Sequence, residues 1–130
     1  MNRAAEFLKN SGTFCLATAE GDQPRVRPFG AVMEYEGKTY LCTNNTKECF
    51  KQMVQNPKVE ISSMYQGEWI RICGEGVPDA RRELKKAMLD SMTSLRKMYS
   101  ENDGIYEVLY LTKAKAKIYS YTKESESFDL

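Results

Sequence analysis

Histidine is absent from the 130 residues of this chain. That absence excludes Ser-His-Asp and Cys-His catalysis, a histidine-ligated metal and a histidine general base. Cysteine occurs four times, at Cys15, Cys42, Cys49 and Cys73, and no two form a C-x-x-C pair. A zinc site built on close ligand pairs is therefore excluded. The thiols are expected to be reduced and mostly buried, as in a cytoplasmic protein. No apolar run approaches the roughly 18 residues of a membrane span. The opening Met1-Asn2-Arg3-Ala4-Ala5-Glu6-Phe7-Leu8-Lys9 is too charged for the apolar core of a signal peptide. The expected location is the cytoplasm, with no membrane partner. An excess of charge of one sign is also missing, since the formal net charge is +1. Such a chain has no global field to recruit nucleic acid. Any chemistry is expected to come from a bound cofactor rather than from a side-chain nucleophile.

What is present suits one domain with one core. Residues 2–10 read as a short amphipathic helix capped by Asn2 and ended by Gly12. Thr13–Ala19, residues 25–35 and Lys38–Thr43 read as three strands of an antiparallel meander, separated by Glu20-Gly21-Asp22-Gln23-Pro24 and Glu36-Gly37 turns. A helix beginning near Lys47 is expected to bury Cys49, Phe50, Met53 and Val54. It stops at Asn56-Pro57, because a residue before proline disfavours helix. Lys58–Tyr65 and Glu68–Val77 are strand-like around Gln66-Gly67. Asp79 is the expected N-cap of a charged helix reaching Asp90, and a short helix over Thr93–Tyr99 follows. Residues 105–112 and 114–121 read as the last two strands. A domain over 1–122 and a polar, acidic tail over 123–130, disordered or docked on a partner, complete the chain. The pattern is mainly β with inserted helices, and open sheet edges are hazardous, so an antiparallel barrel is expected.

The segment Thr43-Asn44-Asn45-Thr46-Lys47 ends a strand and starts a helix. With Asn45 or Thr46 as N-cap, Lys47 falls in the first turn. A helix N-terminus already carries about half a unit of positive charge, so a cation there is unfavourable by up to roughly 1 kcal/mol. Free N–H groups, hydroxyls, amides and an added cation make a site for an anion, most plausibly phosphate. The bland alternative is an ordinary capped helix with a solvated lysine. Arg25 and Arg27, in Pro24-Arg25-Val26-Arg27-Pro28-Phe29-Gly30, share one strand face. Two such cations repel unless an anion lies over them; alternatively they are charges guarding an edge strand. Pro28 marks an edge or a bulge. Trp69 shares a face with Arg71 and Cys73, opposite Ile70 and Ile72, so it faces an interface, a pocket or solvent. Lys113, Lys115, Lys117, Tyr119 and Tyr121 read as a solvated outer face rather than a nucleic-acid surface.

Leu16-Ala17-Thr18, Gly21-x-x-Pro24-x-x-Arg27-Pro28, Gly37, Thr43-Asn44-Asn45-Thr46-Lys47, Asn56-Pro57-Lys58-Val59 and Trp69-x-x-x-x-Gly74 occur in this order. In that order and spacing the chain resembles the pyridoxamine 5′-phosphate oxidase-like FMN-binding split-barrel family, and within it the small nitroimidazole-reductase-like proteins. The resemblance implies a split β-barrel of six to seven strands and a homodimer with FMN at the interface. It places Arg27, Thr43, Thr46 and Lys47 at the FMN phosphate; Asn44 and Asn45 are added for the amides that they offer in the same segment. It sets the backbone around Val26–Phe29, Pro28 included, near the flavin ring, and Trp69 approaching from the second strand pair. Arg25 is added on its shared face with Arg27. The implied activity is that of an FMN-dependent oxidoreductase, moving electrons from a small donor such as a reduced nicotinamide to a small acceptor. The alternative is a flavin- or haem-binding carrier or sensor without turnover. The chain lacks the C-terminal Arg-x-His signature of a true pyridoxamine-phosphate oxidase, which argues against vitamin oxidation. It also lacks the active-site histidine associated with nitroimidazole reductases.

Overall fold

The computed structural model describes residues 2–130. Helix α1 spans Arg3–Ser11; Asn2 caps it by accepting the Ala5 N–H at 2.8 Å, and Gly12 ends it at φ 79°. The remaining elements are β1 (Phe14–Glu20), β2 (Gln23–Phe29), β3 (Met33–Tyr35), β4 (Lys38–Asn44), α2 (Glu48–Gln55), β5 (Lys58–Tyr65), β6 (Glu68–Asp79), α3 (Arg82–Ser91), a 3₁₀ turn (Thr93–Lys97), β7 (Tyr106–Ser120) and β8 (Glu126–Asp129). The strands form one antiparallel sheet in the order β2-β1-β5-β6-β7-β4-β3, with β8 added on β7. β2 and β3, at the two ends of this path, do not pair, so the barrel is split rather than closed.

Several elements differ from the sequence expectation. The first strands are not a meander. The run 25–35 breaks at Gly30, and β1–β2 and β3–β4 are separate hairpins at opposite ends of the sheet. Proline has no N–H to donate to a further neighbour, and Pro28 pairs only with Cys15 on the edge strand β2. Residues 105–121 are one long strand rather than two. Lys113, at φ 51°, bends β7 opposite the register shift between Cys73 and Glu75 without ending it. The tail forms β8, where Leu130 N–H reaches Ala114 C=O at 3.0 Å and Phe128 packs on the core.

Asp79 does not cap α3. The N-cap is Arg81, and Asp79 instead accepts its backbone N–H at 3.1 Å. The helix expected over Thr93–Tyr99 is only a 3₁₀ turn ending at Lys97. In α2 the buried stripe is Cys49, Gln52 and Met53, while Val54 is 60% exposed. The thiols are also less buried than expected: Cys49 is buried and Cys42 half-buried, but Cys15 and Cys73 are exposed on outward positions of β1 and β6.

Two apolar clusters organise the interior. One lies inside the barrel, where Phe7, Leu16, Ile61, Ile70 and Ile118 meet under α1 and α2. The other gathers Met33, Tyr40, Leu84, Met88 and Tyr106 beneath α3. Odd and even positions of β4 serve different clusters, with Leu41 in the first and Tyr40 in the second. That is the two-residue period of a strand covered on both faces.

Candidate functional site

A cavity of about 300 Å³ opens where β2, the start of α2 and the 3₁₀ turn converge. Arg27, Thr43 and Lys47 lie on its polar side, and Phe29, Leu95, Met98 and Tyr99 on its apolar side. Among the described residues, no aspartate or glutamate lines it.

Arg27 is fixed by neutral partners. Its guanidinium donates to Thr18 Oγ1 at 2.8 Å, to Gln52 Oε1 at 2.8 Å and to Leu16 C=O at 3.3 Å. Thr18 donates to the same Gln52 oxygen at 2.5 Å, and both side chains are buried. The guanidinium is thus oriented without a carboxylate to cancel its charge. Lys47 is exposed, and no ion pair or side-chain hydrogen bond among the described residues includes it. It is itself the N-cap of α2, with φ −81° and ψ 144°, rather than a first-turn residue, and it offers no capping acceptor. The first-turn amides of α2 therefore lack a side-chain cap at the end where the helix dipole is positive. Thr43, only 4% exposed, has no hydrogen-bond partner for its hydroxyl among the described residues. An unpartnered hydroxyl and two cations with no acid around one cavity are donors suited to an anion.

Of the residues expected at a cofactor, the structure brings Arg27, Pro28, Thr43 and Lys47 to this cavity. Arg25 points elsewhere: Glu20 accepts from it at 3.0 and 3.1 Å, so no anion is needed to relieve its proximity to Arg27. Val26 is 69% exposed on the outer face of β2. Asn44 and Asn45 hold the loop. Asn44 accepts from Thr46 N–H at 3.1 Å and from the Thr46 hydroxyl at 2.6 Å, and Asn45 donates to Gly104 C=O at 3.0 Å and Glu107 Oε1 at 3.1 Å. Trp69 lies away from the cavity, stacked on Tyr119 with centroids 3.9 Å apart, while Ile70 and Ile72 face the core as expected.

The sequence reading missed Thr18 and Gln52 as the holders of Arg27. A glutamine three residues after Cys49, on the apolar stripe of α2, is the signal that could have shown it. It also missed the wall contributed by Met92–Tyr99. Cys42 and Cys49 line the cavity too. Burial pushes the Cys42 thiol up to about 11, opposed by Lys47; burial also raises that of Cys49, opposed by Arg27 and Lys47. Both stay protonated near neutral pH and are poor nucleophiles.

Fold and cavity together define a split-barrel protein with a carboxylate-free, cation-lined site. A family model described as "Pyridoxamine 5'-phosphate oxidase" matches residues 2–117, and the chain belongs to that family. A NimC/NimA family protein from Clostridium acetobutylicum is 60% identical, with a TM-score of 0.97 over 98% of this chain and 90% of that one. A protein related to general stress protein 26, also from Clostridium acetobutylicum, shares the fold at TM-score 0.74 and 16% identity, covering 98% of this chain and 92% of that one. A heme binding protein from Mycobacterium smegmatis shares it at TM-score 0.72 and 16% identity, covering 99% of this chain and 59% of that one. No curated protein matches the chain. Among the described residues, no helix is long and apolar enough to cross a membrane.

Proposed function

We propose that the protein is an FMN-dependent oxidoreductase, moving electrons from a small donor such as a reduced nicotinamide to a small acceptor, and working as a homodimer with the cofactor at the interface. The observation that carries this reading is the grouping of Arg27, Lys47 and the unpartnered Thr43 hydroxyl around one cavity with no carboxylate. Two cations match a phosphate dianion. The apolar wall of Phe29, Leu95 and Met98 suits an uncharged ring system. FMN, when bound, supplies electron transfer that no side chain here can perform.

In this reading Arg27, held by Thr18 and Gln52, orients the phosphate, Thr43 and Lys47 complete its cradle, and Thr46, whose N–H and hydroxyl both donate to Asn44 Oδ1, shapes the loop beside them. Arg27 and Lys47 would offset the charge of the phosphate in a site lined by no carboxylate. The backbone from Val26 to Pro28 flanks the ring. Trp69, remote from the cavity of its own chain, meets the cofactor across a second copy. The outer face supports that association, with Met64 paired to Trp69 and Trp69 to Tyr119 across neighbouring strands, and Met64 66% exposed.

The absorption spectrum of the purified protein tests the proposal, before and after adding FMN. Flavin bands, bleached anaerobically by NADH or NADPH, are expected. A protein without flavin bands that gains none on adding FMN, or one that carries a Soret band instead, refutes it. Bound FMN that neither nucleotide reduces would make the protein a carrier or sensor. A monomeric mass in solution would contradict the interface site.

A further inference from the structure

Asn44 is 9% exposed, and its amide is committed within the protein. Its Oδ1 accepts from Thr46 N–H and the Thr46 hydroxyl, and its backbone C=O accepts the Lys47 N–H at 3.3 Å. Its Nδ2 donates to the Tyr99 hydroxyl at 3.0 Å. Tyr99 comes from the segment after α3, stacks on the buried Tyr106 with centroids 5.0 Å apart, and lines the same cavity as Thr43 and Lys47. One amide therefore joins the loop bearing Thr46 and Lys47 to the wall facing the apolar part of the cavity. Asn45 pins the other side of the loop, its N–H donating to Ile105 C=O at 2.8 Å.

We infer that Asn44 and Tyr99 are positioning residues. The Tyr99 hydroxyl, through Asn44, sets where Thr46 and Lys47 stand, and so controls affinity for the phosphate without contacting it. The inference rests on the FMN reading for its ligand, but not for the coupling itself. It makes the anion-binding loop dependent on residues some fifty positions later in the chain.

Tyr99→Phe isolates the link. The ring, its stack on Tyr106 and the cavity wall remain, and only the acceptor for Asn44 Nδ2 is removed. Flavin fluorescence titrations compare FMN with riboflavin, which has the same ring and no phosphate. Loss of one neutral hydrogen bond predicts an FMN Kd weaker by about fivefold, with riboflavin affinity changed by less than about twofold. Equal weakening of both, or of neither, overturns the inference by making Tyr99 a wall residue only. Amide hydrogen exchange supplies a ligand-free readout. Thr46 and Lys47 amides are expected to exchange about fivefold faster in the variant, with α1 amides unchanged as a control. If the wild-type protein binds neither flavin, the FMN reading falls. Faster exchange at Thr46 and Lys47 would then still support the coupling, and unchanged exchange would overturn it.

Discussion

Lys47 combines two features that rarely favour each other. It is a cation at a helix start, and it has no carboxylate partner among the described residues. Lys47→Glu therefore separates binding from folding. A carboxylate at a helix N-terminus is favourable by about 0.3–1 kcal/mol, so the melting temperature is expected to hold or rise slightly. FMN retention, measured as flavin per protomer after gel filtration, is expected to fall at least about tenfold, since an attraction becomes a repulsion. A variant that melts normally and keeps its flavin would make Lys47 a bystander. Arg25→Ala is the matched control: it breaks an exposed pair with Glu20 worth about 0–1 kcal/mol and leaves the cavity intact. Arg27 and Lys47 were both visible in the sequence as unexplained cations. What held Arg27 was not, because Thr18 and Gln52 lie 34 residues apart and meet only once α2 packs on β1.

Local patterns set most of the elements, and distant pairings set the rest. Asn2, Gly12, Glu36-Gly37 and Gln66-Gly67 mark ends and turns where the structure has them. The exchange of β2 and β3 to opposite ends of the sheet depends on partners far along the chain. Turn chemistry carries no information about them. The crossing of β6 and β7 is of the same kind. Gly74 is required there by close approach rather than by its φ: an added Cβ would lie 2.8 Å from Ala114 Cβ and 3.0 Å from Thr112 C=O. Gly74→Ala is expected to cost about 1–3 kcal/mol through overpacking, read as a lower urea midpoint. Ala114→Gly in the same chain is expected to restore part of the loss by removing the nearest atom. No recovery would place the strain in the backbone contacts with Ala114 Cα and Thr112 C=O, each at 3.0 Å.

Across the whole molecule, the second apolar cluster is tied to the sheet by a polar group drawn from two separate segments, the β3–β4 hairpin and the end of β6. Tyr40 on β4 donates to Asp79 Oδ2 at 3.0 Å, Arg81 donates to both Asp79 oxygens at 3.1 and 3.0 Å, and it reaches Glu36 Oε1 at 3.1 Å. Nothing in the sequence joins the two segments; the fold does, by placing the end of β6 and β4 on either side of β7. The arrangement gives folding stability a defined pH dependence. Burial and the neighbouring Asp79 push the Tyr40 hydroxyl from 10.0 up to about 12. The unfolded chain releases that proton near 10.0 while the folded chain keeps it, so the folded state binds more protons in this window and stability falls as pH rises through it. Below pH 10 the contribution is complete. On the acid side the Arg81 hydrogen bond lowers the Asp79 carboxyl from 3.8, so its contribution is present above that value and lost as pH falls further. Cys42, raised by burial from 9.0 to about 11, and Cys49, also raised by burial from 9.0, add an earlier alkaline decline. Calorimetric melting from pH 8 to pH 12 should therefore show stability lost in two overlapping steps. Tyr40→Phe should lower stability at pH 8 by about 1 kcal/mol, for the lost hydrogen bond, and reduce the later step, which the buried Tyr106 shares, while leaving the earlier one. A later step of unchanged slope in Tyr40→Phe would assign it to another buried group, with Tyr106, also raised chiefly by burial, the next to test.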